Sequence, residues 1–210
     1  MRYKPDHKAR TRARVLAEAA ALLRQRGATN LGVSEVMRRA GLTHGGFYSH
    51  FRSRDELIAE AINATFEEAF DRQVRIHDGV PADHALGRYV AFYLSGRHRD
   101  AAASGCPLSC LSADVERLGA EPRARFTAGA RALTRWIAGR IRELGRPNPE
   151  ASAIALLAEL VGALSLARAE LDPTRSDMIL TSVRDDICRR LELPGAVQPR
   201  AVPHDNAPPA

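Results

Sequence analysis

VSEVMRRAGLTHGGFYSHF, residues 33–51, reads as two short helices joined by a tight turn. Val33, Val36, Met37 and Ala40 recur at i, i+3, i+4 and i+7, so one face of the first helix is apolar and can be buried. Gly41 follows the last periodic residue, where glycine takes the left-handed conformation that turns a helix off, and Leu42 can cover the joint. Thr43 suits the N-cap of a second helix, because its hydroxyl can accept from free backbone N–H groups two or three residues on. In that second helix Phe47 and Phe51 stand four apart and can pack inward, while His44 and Tyr48, also four apart, point outward.

Gly45 and Gly46 follow the cap, and each costs about 1 kcal/mol relative to alanine inside a helix, so a helix built only for packing would gain by replacing them. They suit a surface approached closely: free N–H groups and the positive dipole end favour an anion, and a missing side chain lets a phosphate or base edge come near. By spacing alone the pair is either a connector within a helical bundle or a DNA-binding helix-turn-helix, whose second helix reads the major groove. Ser53, followed three residues later by Glu56, is a capping box that opens another helix.

From Gly27 through Val33 to Glu56, and above all in GLTHGGFYSHFRSRDEL (41–57), the sequence resembles the DNA-binding domain of TetR-family transcriptional regulators. The detailed resemblance covers about the first third of the chain; the remainder resembles the family as an all-helical domain of fitting length. It implies an all-α fold: an N-terminal three-helix helix-turn-helix DNA-binding domain (1–54, motif about 31–51), a connecting lever helix (55–78), and a larger helical ligand-binding and dimerisation domain (79–193). It also implies that the helix beginning near His44 enters the major groove, with Tyr48 on the DNA backbone or bases. The DNA-facing set is then Arg14, Val33, Ser34, Thr43, His44, Gly45, Gly46, Tyr48, Ser49, His50 and Arg54. Where many members carry lysine this chain has His44 and Arg54; Arg54 keeps the charge, and His44 leaves the operator sequence open.

Charge agrees with a polyanion-binding end. Residues 1–54 hold twelve Lys and Arg against three acids, a net +9, so with +6 for all 210 residues the remainder sums to −3. Three cysteines, Cys106, Cys110 and Cys188, form neither a secreted disulfide framework nor a CxxC pair, which favours a reducing interior. The start has no apolar signal core, and residues 151–167 fall short of the roughly 18 apolar residues of a membrane span and are interrupted by Glu159. A cytoplasmic protein without a membrane span is expected.

Periodicity places helices at 8–26, stopped by Gly27, with Leu31 as a buried plug; at 55–78, about 36 Å long; and at 84–95. A polar loop follows over 95–104, then a short helix from Cys106 and Pro107 to 118, and a striped helix from Glu121 and Pro122 to Gly145. Asn148 and Pro149 cap a helix over 150–171 that is apolar almost all round and so needs burial on more than one side. Asp172 and Pro173 start the last helix, to 191, and the proline-rich tail 194–210 has little to bury and is expected to be disordered. The two helices over 150–171 and 173–191 are the expected homodimer interface.

There is no GxSxG, HExxH, CxxC or GxxxxGK[ST], so no enzyme, metal site or cofactor is expected. An architectural DNA binder leaves the large, weakly charged second domain without a role, and a small-molecule carrier leaves the basic end without one. The expected partners are a palindromic or near-palindromic double-stranded DNA operator, a second copy of the chain and a small-molecule effector. As the resemblance implies, an apolar or aromatic effector would sit in the second domain and release the DNA; the candidate walls are Tyr89, Phe92, Tyr93, Phe126, Trp136, Leu157 and Leu160, each of which can equally be plain core. Cys106 offers a rival trigger, a thiol or electrophile sensor: it opens a helix near Arg97 and Arg99 and lies four residues from Cys110, though the chain has no lysine beyond Lys8 to assist.

Overall fold

Glycines with positive φ, Gly27, Gly41, Gly79 and Gly145, follow four of the helices, and the computed structural model describes residues 5–101, 103 and 105–194, with backbone alone at 5–6 and 73–75. Helix α1 runs Pro5–Arg26 and stops at Gly27, whose φ of +76° is open to glycine at little cost. Helix α2, Val33–Arg39, ends in a pair of bonds that wrap the turn: Gly41 N–H donates to Arg38 O (3.0 Å) and Leu42 N–H to Met37 O (2.9 Å). Leu31 is buried as the plug between them.

The second helix of the motif differs from expectation. His44–Ser49 is a 3-10 helix, and Thr43 makes no side-chain cap bond. Two glycines in the first turn contribute no side-chain packing, and Ser49 Oγ donates to Gly46 O (2.7 Å) instead of lengthening the helix. Ser53 does cap the next one, accepting from Glu56 N–H at 3.0 Å, while Glu56 Oε2 reaches Arg52 N–H (2.6 Å) one residue before the cap.

Helix α3, Arg54–His77, has 24 residues and spans about 36 Å. It packs on α1 and along the length of a later helix, α7 (Ala120–Glu143), so one rod serves both halves. Helix α4 is Ala82–Tyr93. The expected polar loop then holds a short helix, α5, Gly96–Asp100, because Ser95 Oγ caps it by accepting from His98 N–H at 3.1 Å. The expected single helix to 118 is two pieces, α6 (Pro107–Leu111) and a 3-10 turn (Val115–Arg117).

Helices α7 (Ala120–Glu143), α8 (Pro149–Ala169) and α9 (Pro173–Arg190) complete the body. Asp172 caps α9 through Thr174 N–H; Asn148, by contrast, sits in the left-handed region at φ 50° and makes no cap bond. Buried side chains form one continuous cluster from Val15 to Leu193, and no strand occurs among the described residues. Helix α8, with 21 residues, is long and apolar enough by length and composition to cross a membrane, contrary to the length argument from sequence. Only 33% of its most apolar stretch is buried within the chain, which leaves an apolar face uncovered. The tail from residue 195 onward lies outside the described residues.

Candidate nucleic-acid interface and cavity

Phe47 and Phe51 are buried and stack at 5.7 Å, and this anchors the recognition segment so that Tyr48 stands out, 72% exposed. Thr43, His44, Gly45 and Ser49 are exposed beside it, as is Ser34 on α2, whose Oγ meets His44 Nδ1 at 3.0 Å. Added Cβ atoms at Gly45 would meet nothing within 4 Å. Val33, Gly46 and His50 are half-buried, and burial together with Lys8 and Arg12 pushes the His50 pKa down.

Many of the twelve bases are engaged within the protein. Arg12 pairs with Glu60 and lies over the Phe51 ring at 4.7 Å; buried Arg24 holds Glu68 (2.6 Å); Arg26 and Arg39 share Glu35. Arg54, expected at the DNA, donates from Nε to Leu31 O (3.0 Å) and from Nη2 to Ala28 O (2.8 Å) and Thr29 O (3.2 Å), binding the loop between α1 and α2 to α3. Lys8, Arg14 and Arg38 are exposed with no ion pair among the described residues. The salt dependence of DNA binding should follow this division. Arg14→Ala and Arg38→Ala should each lower the slope of log K against log salt by about one unit per lost phosphate contact, whereas Arg54→Ala should lower the melting temperature. Filter-binding titrations across salt and thermal melts check this; an Arg54 variant with normal stability and reduced slope would return that residue to the DNA face.

The two halves also touch directly. Asp114, just before the 3-10 turn, accepts from Ala28 N–H at 2.9 Å, and a Cβ on Gly27 would fall 2.1 Å from the same carboxylate oxygen. Glycine is needed there both for its conformation and for this close approach.

In the body, α3, α4, α7 and the start of α6 enclose a cavity of about 280 Å³. Tyr89, Phe92, Tyr93 and Cys106 line it, as expected from sequence. Phe126, Trp136, Leu157 and Leu160 do not: Phe126 packs edge-on against Phe66 (5.7 Å), Trp136 against Tyr89 (5.2 Å), and the two leucines are buried on α8. Sequence reasoning missed Phe66, Phe70, Asn63 and Glu67 of α3, His98, and the small-residue face of α7 at Ala128, Gly129 and Ala132. Gly129 carries a signal that was readable, a glycine inside a long helix; its absent side chain admits the Phe66 ring, which would lie 2.3 Å from a Cβ.

His98 fixes the geometry of the inner wall. Its Nδ1 lies 2.9 Å from Tyr93 O, which can only accept, and Cys106 N–H donates to Nε2 at 3.0 Å, so the ring is the neutral tautomer protonated at Nδ1. Burial pushes its pKa down to about 4. A proton taken up by the unfolded chain near pH 6.5 is therefore refused by the folded one until about pH 4, and the stability this group contributes is present above pH 6.5 and lost as pH falls towards 4. Urea unfolding should show about 2 kcal/mol lost on this account between pH 7.5 and 5.0, and His98→Asn should lack that part of the slope. Cys106 is half-buried against this wall, and desolvation of its thiol raises its pKa, which favours S–H.

Comparison with known proteins agrees with this geometry. Residues 15–61, α1 to the start of α3, match the family described as bacterial regulatory proteins, tetR family. A Mycobacterium tuberculosis (strain H37Rv) protein described as an uncharacterized HTH-type transcriptional regulator is 30% identical over 183 residues, covering 83% of this chain and 92% of that protein. The HTH-type transcriptional repressor NemR of Escherichia coli (strain K12) is 30% identical over 141 residues, covering 66% of this chain and 70% of NemR. The crystal structure of reduced E. coli NemR superimposes with a TM-score of 0.76 at 23% identity, covering 86% of this chain and 96% of that one. A transcriptional regulator from Saccharomonospora viridis, solved in complex with choline, has a TM-score of 0.69 at 23% identity, covering 85% and 96%. A recognition segment with an outward tyrosine, the all-helical body behind it and near full-length similarity to a helix-turn-helix regulator together make this chain a DNA-binding transcriptional regulator of the TetR family.

Proposed function

We propose that the protein is a repressor that binds a near-palindromic operator as a symmetric homodimer and is released when a small apolar or aromatic molecule fills the cavity. The division of labour follows the chain: 1–54 holds the DNA, 55–78 is the lever, and 79–193 holds ligand and partner. The observation that carries the reading is the cavity's position, walled by α3 itself, which also packs on α1 of the DNA-binding end. A ligand acts through its differential affinity for two arrangements, so one that prefers a shifted α3 moves the paired recognition segments off their half-site spacing of about 34 Å. A coupling of about 1 to 3 kcal/mol would weaken operator binding roughly 5- to 150-fold. NemR is named a repressor, and the S. viridis regulator holds a small molecule, which supports both halves of the reading. Such a protein works where the DNA is, in the cytoplasm. Selection of DNA by the purified protein, followed by release assays with an aromatic and lipophilic panel, tests it; the absence of an enriched palindromic site overturns it.

A thiol trigger at Cys106 is the second reading, because that residue lines the cavity. The raised pKa of its desolvated thiol argues against it. A mild oxidant should therefore affect operator binding by wild type and Cys106→Ser equally, as read by fluorescence anisotropy; release of wild type alone would establish the thiol as sensor.

A further inference from the structure

The inner end of the cavity offers one hydrogen-bond donor that meets no acceptor in hydrogen-bond geometry among the described residues. Tyr93 is 1% exposed, lines the cavity, and its hydroxyl meets no partner in hydrogen-bond geometry among the described residues. Cys106 Sγ and Ser109 Oγ lie beside it without meeting it in hydrogen-bond geometry: sulfur accepts weakly, and Ser109 Oγ is turned to donate to Cys106 O (3.0 Å) and accept from Arg168 Nη1 (3.1 Å). The carbonyl of Tyr93 and both ring nitrogens of His98 are occupied by one another and by Cys106 N–H. A buried hydroxyl left without a partner is costly, and native interiors rarely keep one without a reason.

The same wall carries no charge. Tyr89, Phe92, Tyr93, Cys106, Pro107 and Leu133 are all neutral, with burial pushing both tyrosines and the thiol further from ionisation. The ionic side chains of the lining, Glu67, Asp71 and Arg72, all belong to α3, and Glu67 and Asp71 are exposed, which places them at the rim. Arg168, behind the inner wall, is held by Arg99 O, His98 O and Ser109 Oγ. An ion driven to the inner end would lose its hydration and make no direct ion pair, since Arg168 acts only from behind the wall and does not line the cavity.

Building on the effector reading above, we propose that the ligand is an uncharged molecule with an apolar body and one exposed acceptor oxygen, a carbonyl being the simplest, and that Tyr93 Oη–H donates to that oxygen. The apolar body lies between Phe66, Phe70 and Leu133, and the oxygen alone enters the polar corner. Binding is non-covalent, and Cys106 contributes only its neutral surface.

Three probes of one shape test this by calorimetry on the full chain: 2-acetylnaphthalene, 2-ethylnaphthalene and 2-naphthoate, which present a carbonyl, no oxygen and a charge. Wild type should bind the ketone about tenfold more tightly than the hydrocarbon, as one neutral hydrogen bond allows, and the carboxylate most weakly. Tyr93→Phe should bind ketone and hydrocarbon equally, and without ligand should melt at the same temperature as wild type or higher, since the hydroxyl meets no partner in hydrogen-bond geometry among the described residues. The proposal is overturned if wild type does not prefer the ketone, if the preference survives in Tyr93→Phe, if 2-naphthoate binds best, if none of the three binds, or if Tyr93→Phe is less stable. Operator release separates this from the broader reading: a ketone that binds through Tyr93 without releasing DNA leaves the proposal intact and removes the effector role. Release by the hydrocarbon at equal affinity does the reverse.

Discussion

Gly45→Glu should lower operator affinity more than a hundredfold while leaving the melting temperature within a degree or two of wild type. Few substitutions separate binding from folding so cleanly, because an added side chain at Gly45 meets no atom within 4 Å and its backbone is not in the left-handed region. The cost arises only when DNA arrives, where a carboxylate stands at the open N-terminal turn that would face phosphate and each half-site of a dimer suffers the same repulsion. A loss of about 1.4 kcal/mol per half-site already gives a hundredfold for the pair. Tyr48→Ala should act in the same direction for a different reason, removing a 72% exposed ring that packs edge-on to Phe47 at 5.2 Å. Anisotropy titrations and thermal melts of the two variants check both halves; operator binding at wild-type strength by Gly45→Glu would mean that another surface reads the DNA.

Ile154→Asp combined with Leu166→Asp should turn the protein into a monomer at micromolar concentration and with it reduce operator affinity by two orders of magnitude or more. Both side chains lie on α8 and are 61% and 64% exposed in the single chain, with Ala158 exposed between them. Leu171, 95% exposed, and Met178, 56% exposed, extend the apolar surface across the turn into α9. A two-fold axis buries each residue twice, so at about 1.5–3 kcal/mol per large apolar side chain the four copies of Ile154 and Leu166 contribute several kcal/mol to association. Ala163, only a few positions away, is 4% exposed and faces the core, so an arginine there would test folding rather than dimerisation. Light-scattering mass decides the matter, and a wild type that is itself monomeric with or without operator would remove the dimer.

The helix-turn-helix was legible because its signals are local. Gly27, Gly41, Gly79 and Gly145 all carry positive φ, and the prolines at 107, 149 and 173 sit in first turns, so chemistry within a few residues set these helix ends. Helix α5 was not legible, since its cap, Ser95, opens a stretch of mixed charge with no apolar period, and distant partners, Cys106 on the His98 ring and Arg168 on the His98 and Arg99 carbonyls, help to hold it. The cavity was half legible for a related reason. Periodicity tells which face of a helix is apolar, but whether Trp136 meets another side chain or empty space depends on how four helices converge, and a gap between helices leaves no mark on any one of them. Likewise the +9 of the first 54 residues overstates the charge presented to DNA, because Glu60 and Glu68, which lie beyond that boundary, reach back to Arg12 and Arg24.

The contact between Asp114 and the Gly27–Ala28 turn bears on how freely such proteins can exchange parts. An engineer who grafts residues 1–54 of another regulator onto this body inherits a loop whose carboxylate sits 2.9 Å from Ala28 N–H and leaves no room for a side chain at position 27. A foreign head with any larger residue there should push the Asp114 carboxylate aside and lose its bond to Ala28 N–H. Position 27 and position 114 thus form a lock-and-key joint between interchangeable pieces, and libraries of hybrid regulators should move the two residues together.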